Sequence, residues 1–207
     1  MAGSPTGSGG GGTRLPLRSF YSRDPRRVAL DLLGTILAHT TEEGTVAGRI
    51  VEVEAYLGNG DEAAHSSAGL TPRTRVIFGP PGHAYVYKVY GLHCCLNVVT
   101  EPEGTPGCVL VRALEPLAGI ALMRARRPPG IAAGLIASGP GRLTQAMGIG
   151  MRHNGADLLG GPLTLHLPDG PGRPDTTTTT RVGITRATEL ALRFFVTDNP
   201  FVSRPWH

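Results

Sequence analysis

Lysine is almost absent from this chain. Lys88 stands alone beside nineteen arginines in 207 residues, so a mechanism that needs a nucleophilic lysine has one candidate. Cysteine is scarce as well, at three residues: Cys94, Cys95 and Cys108. Two adjacent thiols and a third make no disulfide framework, and no CxxC pair suggests zinc. The pattern fits a reduced cytoplasm. No apolar run approaches membrane length and the N-terminus lacks an apolar signal core, so no membrane association is expected. Aromatic residues are only 5% of the chain, which makes the places where they gather informative.

What is present suits one folded domain. Hydrophobic residues make up 40%, enough for a core in a chain of this length. Thirty glycines and eighteen prolines predict many turns, without a collagen-like period. The formal net charge of +4 favours an anionic partner modestly. Residues 1–13, "MAGSPTGSGGGGT", form a Gly/Ser tail with nothing to pack, expected to be disordered. Residues 14–207 then form the domain.

A helix is expected from about Asp24, with Asp24 as N-cap and Pro25 at the first helical position. "TVAGRIVEVEAYLG" reads as a strand, and "HAYVYKVYGLHCCLNVV" as two strands joined at Tyr90-Gly91. "GCVLVRALEPL" is a further strand leading into a short helix, and "SGPGRLTQAMGI" turns into a helix from about Gly141. "GPLTLHLPDG" is a strand and turn, and the threonine run "DTTTTT" is followed by a strand. Strands dominate without βαβ alternation, which predicts an α+β fold with a mixed or antiparallel sheet.

The strand "RIVEVEAY" carries carboxylates where a core strand carries valines. Alternation puts Ile50, Glu52, Glu54 and Tyr56 on one face and Val51, Val53 and Ala55 on the other. A solvated face would explain the first set. A pocket would explain it too, because "GNGD" turns the chain and "EAAHSS" can carry His65 back toward the strand end. Tyr85, Tyr87 and Tyr90 fall within six residues, "YVYKVY". The first two share a strand face. Tyr90 stands at the hairpin tip, where an aromatic side chain can serve as a wedge between stacked bases. Arg73, Arg75, Arg124, Arg126 and Arg127 flank this region in sequence and could contact phosphates.

Four blocks carry a resemblance: "GRIVEVEAYLG…DEAAHS", "TPRTRVIFGPPGHAYVYKVYGLHCCLNVV", "CVLVRALEPL" and "SGPGRLTQAMGI". In that order they resemble the alkyladenine (3-methyladenine) DNA glycosylases, over about Arg14 to Val202. The resemblance implies a single α+β domain with a curved, mostly antiparallel sheet, a protruding β-hairpin and flanking helices. It implies a monofunctional enzyme that flips out alkylated or deaminated purines from damaged double-stranded DNA and hydrolyses the N-glycosidic bond. It implies Glu54 as general base and Arg112 as the arginine that helps hold the attacking water. Tyr56, His65 and Tyr87 would sandwich the flipped base, Asn97 would line the pocket floor, and Tyr90 would fill the gap in the duplex. Of the flanking arginines, Arg73, Arg75 and Arg124 are expected, from their charge and place in the sequence, to touch the DNA backbone. No cofactor and no metal are implied, and a monomer working at the nucleoid is expected. His93 stands where vertebrate members carry an aromatic residue. Two other classes remain open on the residues alone. One is a metal-dependent hydrolase using Glu52, Glu54, His65, His83 and His93, although no HExxH-type motif is present. The other is a non-catalytic nucleic-acid-binding module.

Overall fold

The computed structural model describes residues 13–89, 91–168 and 172–203. Most of the expected tail lies outside the described residues, while Thr13 already pairs with Pro168. Tyr90, the expected wedge, also lies outside the described residues.

Among the described residues nine strands form one open sheet, and every pairing is antiparallel. They are β1 (Thr13–Arg14), β2 (Ile36–Thr41), β3 (Gly44–Tyr56), β4 (Ala84–Val89), β5 (His93–Val99), β6 (Cys108–Ala118), β7 (Leu163–Pro168), β8 (Thr176–Thr179) and β9 (Arg193–Val196). The main path runs β1-β7-β2-β3-β6-β5-β4, with β9 bridging β3 to β8. Helices α1 (Arg18–Tyr21), α2 (Pro25–Leu32), α3 (Ile120–Ala125) and α4 (Pro140–Met147) flank it. The α+β expectation holds.

Local chemistry accounts for the helix ends. The Asp24 side chain accepts from the Arg26 amide, and Pro25 starts α2 where no amide is needed. Gly148 ends α4 in the left-handed region at φ 69°, the usual place for a helix-terminating glycine. Val28, Ala29 and Leu32 of α2 and Leu143, Ala146 and Met147 of α4 join the main core with Ile50, Val53 and Ala55 of β3.

Two expectations fail, each for a local reason. Ile50 was assigned to the glutamate face, yet it packs in the main core with Val53, while Val51 joins a small cluster with Ala113, Phe195 and Val202. Strand parity breaks because the β3–β6 register slips between Ile50 and Glu52 and again before Val53. A bulge of this kind inserts an unpaired residue and re-aims the side chains beside it. The slip is also where β3 exchanges neighbours, from β2 (44–49) to β9 (52–54). The second failure concerns the threonine run. It is itself strand β8, paired with β9, and the residues after it form a loop. β-branched threonines suit an edge ladder, and Arg181 and Val182 are committed to side contacts described below.

His39 and His153 stack edge-on with ring centroids 4.7 Å apart. Both are buried, and burial is the main cause that lowers the pKa of each, aided by Arg152 for both and by Arg126 for His39. The unfolded chain therefore binds protons more readily than the folded one near pH 6.5. Their contribution to stability is full above that pH and is lost as pH falls through the usual imidazole range toward the lower folded values. The melting temperature should fall between about pH 7 and about pH 5, and His153→Gln should flatten that slope. Thermal melts across this range check it; an unchanged melting temperature in the wild-type chain would contradict it.

Candidate active site

The C-terminal end of β3, the hairpin β4–β5, the first half of β6 and the loop between β8 and β9 meet around one cavity of about 590 Å³. Its lining includes Tyr56, His65, Arg73, Tyr85, Tyr87, Asn97, Leu110, Arg112 and Val182. The turn "LGNGD" brings His65 there. Gly58 passes so close to Pro106 that a Cβ would lie 1.9 Å from its carbonyl oxygen, so only glycine fits. Asp61 then accepts from the amides of Leu57 and Ala63, at 3.0 and 3.1 Å, and a 3₁₀ turn over His65–Ala68 follows.

The aromatic walls are fixed by mutual contacts. His65 meets Tyr87 edge-on at 4.5 Å, and its Nδ1 is 3.0 Å from the Tyr85 hydroxyl. Tyr85 and Tyr87 lie on one strand face with centroids 5.3 Å apart, as alternation requires. Burial, with the Arg73 charge, lowers the His65 pKa, so the wall carries a neutral imidazole at neutral pH. The Arg73 guanidinium lies 5.4 Å from the Tyr87 ring centroid. Asn97 donates from Nδ2 to the Tyr85 carbonyl at 3.1 Å, which orients its amide at the floor. Cys95 and Cys108 also line the cavity as free thiols. Burial pushes the Cys108 thiol up to about 12, which leaves it a poor nucleophile.

The floor conceals a charged cluster. Glu54 is wholly buried and is held by three residues that line the cavity. The Val182 amide donates to Oε1 at 2.8 Å, the Tyr56 hydroxyl donates to Oε2 at 2.9 Å, and Arg112 Nη1 lies 3.1 Å from Oε1. Burial, then the Glu54 charge, raises the Tyr56 pKa, so the phenol keeps its proton and remains a donor. Burial alone would lower the Arg112 pKa, but Glu54 and Glu52 outweigh it and the guanidinium stays charged.

Glu52, a member of the face that solvation would have explained, finds two arginines instead. Its Oε1 accepts from Arg112 Nε and from Arg193 Nε, both at 2.8 Å. The Ser203 amide and hydroxyl add bonds of 2.7 and 2.9 Å. Burial raises its pKa, but Arg112, Ser203 and Arg193 together bring it below the usual value. Arg193, Ser203, Arg181, Asp61 and Val182 escaped the sequence reading. One signal was there: "LRFFV" places an arginine inside an apolar strand, as "VEVEA" places glutamates, and buried charges must pair.

Glu54, Arg112, Tyr56, His65, Tyr87 and Asn97 are thus brought together, and Arg73 joins them at the rim. Arg75 is exposed in the next 3₁₀ turn. Arg124 is exposed on α3, donates to the Ile131 carbonyl at 3.3 Å and lines neither this cavity nor its neighbour. That neighbour, about 870 Å³, is lined by His93, Arg127 and Arg142 among others and shares Arg112 and Pro140 with the first. Lys88, the single lysine, is exposed and borders the cavity. The five candidate metal ligands do not converge. His83 bonds toward Arg18 and Pro80, His93 is exposed at the hairpin, and among the described residues no three His, Cys, Asp or Glu side chains gather to hold a metal.

An aromatic cavity over a caged carboxylate can hold a flat ring beside an acid–base group. Residues 19–200 match the family model described as methylpurine-DNA glycosylase. A protein of Methanoculleus marisnigri, provisionally named 3-methyladenine DNA glycosylase, is 57% identical over 90% of this chain and 97% of its own. One of Koribacter versatilis with the same name is 49% identical over 90% and 91%, and one of Burkholderia lata is 48% identical over 94% and 93%. The chain belongs to the methylpurine-DNA glycosylase family. It is a DNA N-glycosylase, an enzyme of alkylation-damage repair that hydrolyses N-glycosyl bonds.

Proposed function

We propose that this glycosylase flips alkylated and deaminated purines out of duplex DNA into the cavity described and releases the base by water attack directed by Glu54. The observation that carries this reading is the fully buried Glu54 carboxylate, bonded to Tyr56, Arg112 and Val182 directly under a tyrosine- and histidine-walled cavity.

The purine nitrogen and C1′ cannot be reached inside a stacked duplex, and flipping costs about a few kcal/mol, least for damaged bases. Tyr90, which follows β4 in the sequence, offsets part of that cost by filling the vacancy. The faces of Tyr56 and Tyr87 attract purines made cationic at N3 or N7, by about 0.5–2 kcal/mol. Neutral bases such as hypoxanthine or ethenoadenine gain stacking alone. Asn97, on the cavity lining, rejects the exocyclic amino group of guanine.

In the chemical step the C1′–N bond breaks and its electron pair leaves with the base. Water oxygen bonds to C1′ and the water proton passes to Glu54. Arg112 orients the water. A cationic methylpurine departs neutral, whereas hypoxanthine needs a proton as it leaves. Glu54 is closed to solvent, so water reaches it only as Tyr56 or the loop carrying Val182 gives way on nucleotide entry. Lys88 is exposed on the cavity lining and takes no part in this scheme, so the enzyme is monofunctional and leaves an abasic site. Neither a cofactor nor a metal enters this scheme, and the enzyme acts as a monomer.

A panel of duplex and single-stranded oligonucleotides, each carrying 3-methyladenine, 7-methylguanine, hypoxanthine or ethenoadenine, tests the assignment under single-turnover conditions. Alkali-labile sites should form at the lesion and form faster in duplex. No labile site with any of the four would sink it. In the same assay Tyr90→Ala should slow excision about ten-fold or more, since the unstacking cost is no longer offset; an unchanged rate would remove the wedge.

A further inference from the structure

We propose that Glu52 and Ser203 are positioning residues for Arg112, so that the end of the described chain forms part of the catalytic apparatus. The inference rests on the reading of Glu54 and Arg112 given above.

Each edge of the Arg112 guanidinium has its own partner. Nε donates to Glu52 at 2.8 Å, Nη1 faces Glu54 at 3.1 Å, and Nη2 donates to the Ser203 hydroxyl at 3.3 Å. A planar cation held on three sides cannot rotate about its side-chain torsions. The Ser203 hydroxyl closes the clasp by donating to Glu52 Oε1 at 2.9 Å. Ser203 is itself held twice more, by its amide on Glu52 Oε2 at 2.7 Å and by Arg193 Nη2 on its carbonyl at 3.1 Å.

This arrangement exceeds what burial demands. Glu52 and Arg193 would satisfy each other as a simple pair, since both are wholly buried and bonded through Nε. Instead Glu52 Oε1 is shared between two guanidiniums, and two carboxylates face two arginines in one closed group. Arg112 is the only one of these four that borders the cavities on both sides. The clasp therefore fixes the one charged side chain of the cluster that lines the cavities, before the nucleotide arrives. Preorganisation of this kind acts on the rate of the chemical step more than on binding.

Ser203→Ala isolates the effect, because it keeps the backbone amide on Glu52 and removes only the bridging hydroxyl. Single-turnover excision at saturating enzyme should fall about ten-fold, with lesion-DNA affinity and melting temperature essentially unchanged. Ser203→Thr, which retains a hydroxyl, should recover most of the rate. Glu52→Asp, which keeps the charge but shortens its reach, should slow the same step without weakening DNA binding. A Ser203→Ala rate within about two-fold of wild type overturns the proposal, as does a loss of affinity in step with rate. So does a Ser203→Thr protein that melts normally and is no faster than the alanine variant. Glu54→Gln run alongside separates the two readings. If Glu54→Gln is inactive while Ser203→Ala is unaffected, only the clasp fails; if Glu54→Gln is fully active, the underlying assignment fails.

Discussion

Asp61→Ala is expected to destabilise the fold by about 3–5 kcal/mol, the usual cost of stripping one partner from a buried ion pair. Arg181 grips Asp61 through both terminal nitrogens, at 2.6 and 2.8 Å, and neither side chain is exposed. Burial alone would raise the Asp61 pKa, but Arg181 and the Leu57 and Ala63 amides bring it below the ordinary value. Its stabilisation is therefore present above the usual carboxylate range and lost as pH falls through the folded value. The neutral alanine would leave the Arg181 charge buried without its partner. For a chain of this size the loss corresponds to a melting temperature lower by roughly 10 °C. Activity should suffer as well, because the Arg181 guanidinium lies 4.7 Å from the Tyr56 ring centroid and the next residue gives its amide to Glu54. Glu43→Ala, which breaks an exposed pair with Arg126, is the control and should cost less than about 1 kcal/mol. Thermal or urea unfolding of the two variants decides it. Equal and small losses would mean that the buried pair is not what holds the loop.

Glu54→Gln is expected to lower the single-turnover rate of base release by about 10³-fold, within the range that general-base catalysis contributes. The amide is close in size to the carboxylate. Its oxygen can still accept from Val182 or Arg112, and its nitrogen can face the Tyr56 oxygen, so the cage should stay closed. What disappears is the capacity to take a proton from water and to face the positive charge developing on the sugar. Affinity for lesion DNA should stay within about three-fold, since the aromatic walls and the hairpin are untouched. Fluorescence anisotropy with the same duplex used for kinetics separates the two effects. A variant that binds weakly and cleaves normally once saturated would show that Glu54 serves binding and not chemistry.

Much of this was legible in the sequence because it depends on local rules. Asp24-Pro25 marked a helix start, and the hairpin around Gly91 followed from two apolar runs and a turn. Tyr85 and Tyr87 shared a face because the strand period is two. The resemblance supplied Glu54, Arg112, Tyr56, His65, Tyr87 and Asn97 as a set, and the fold brings all six to one cavity floor and wall. Long-range partners were not legible. Arg193 and Ser203 meet Glu52 across 141 and 151 residues, and nothing in local spacing encodes that approach. The bulge at Glu52 was hidden for a related reason. Register is set by the neighbouring strand and not by the strand's own alternation, so Ile50 and Val51 exchanged faces. The threonine run was misread because only its pairing with β9 reveals it as an edge strand.

Arg124 illustrates the limit of charge reading. Proximity in sequence to Arg126 and Arg127 grouped the three, but only Arg127 reaches the hollow beside the active site, where Arg142 joins it. Three residues, across the end of α3, separate a side chain that borders a cavity from one that borders none.

The central claim is that this chain hydrolyses the bond between deoxyribose and a damaged purine, without metal and without cutting the strand. Chromatography of the products after wild-type enzyme meets a 3-methyladenine duplex in EDTA tests that claim most directly. The account predicts intact free 3-methyladenine in amounts equal to the abasic sites formed, with strand breaks appearing only after alkali. Loss of activity in EDTA, breaks before alkali, or a duplex that is bound and left unchanged would contradict it.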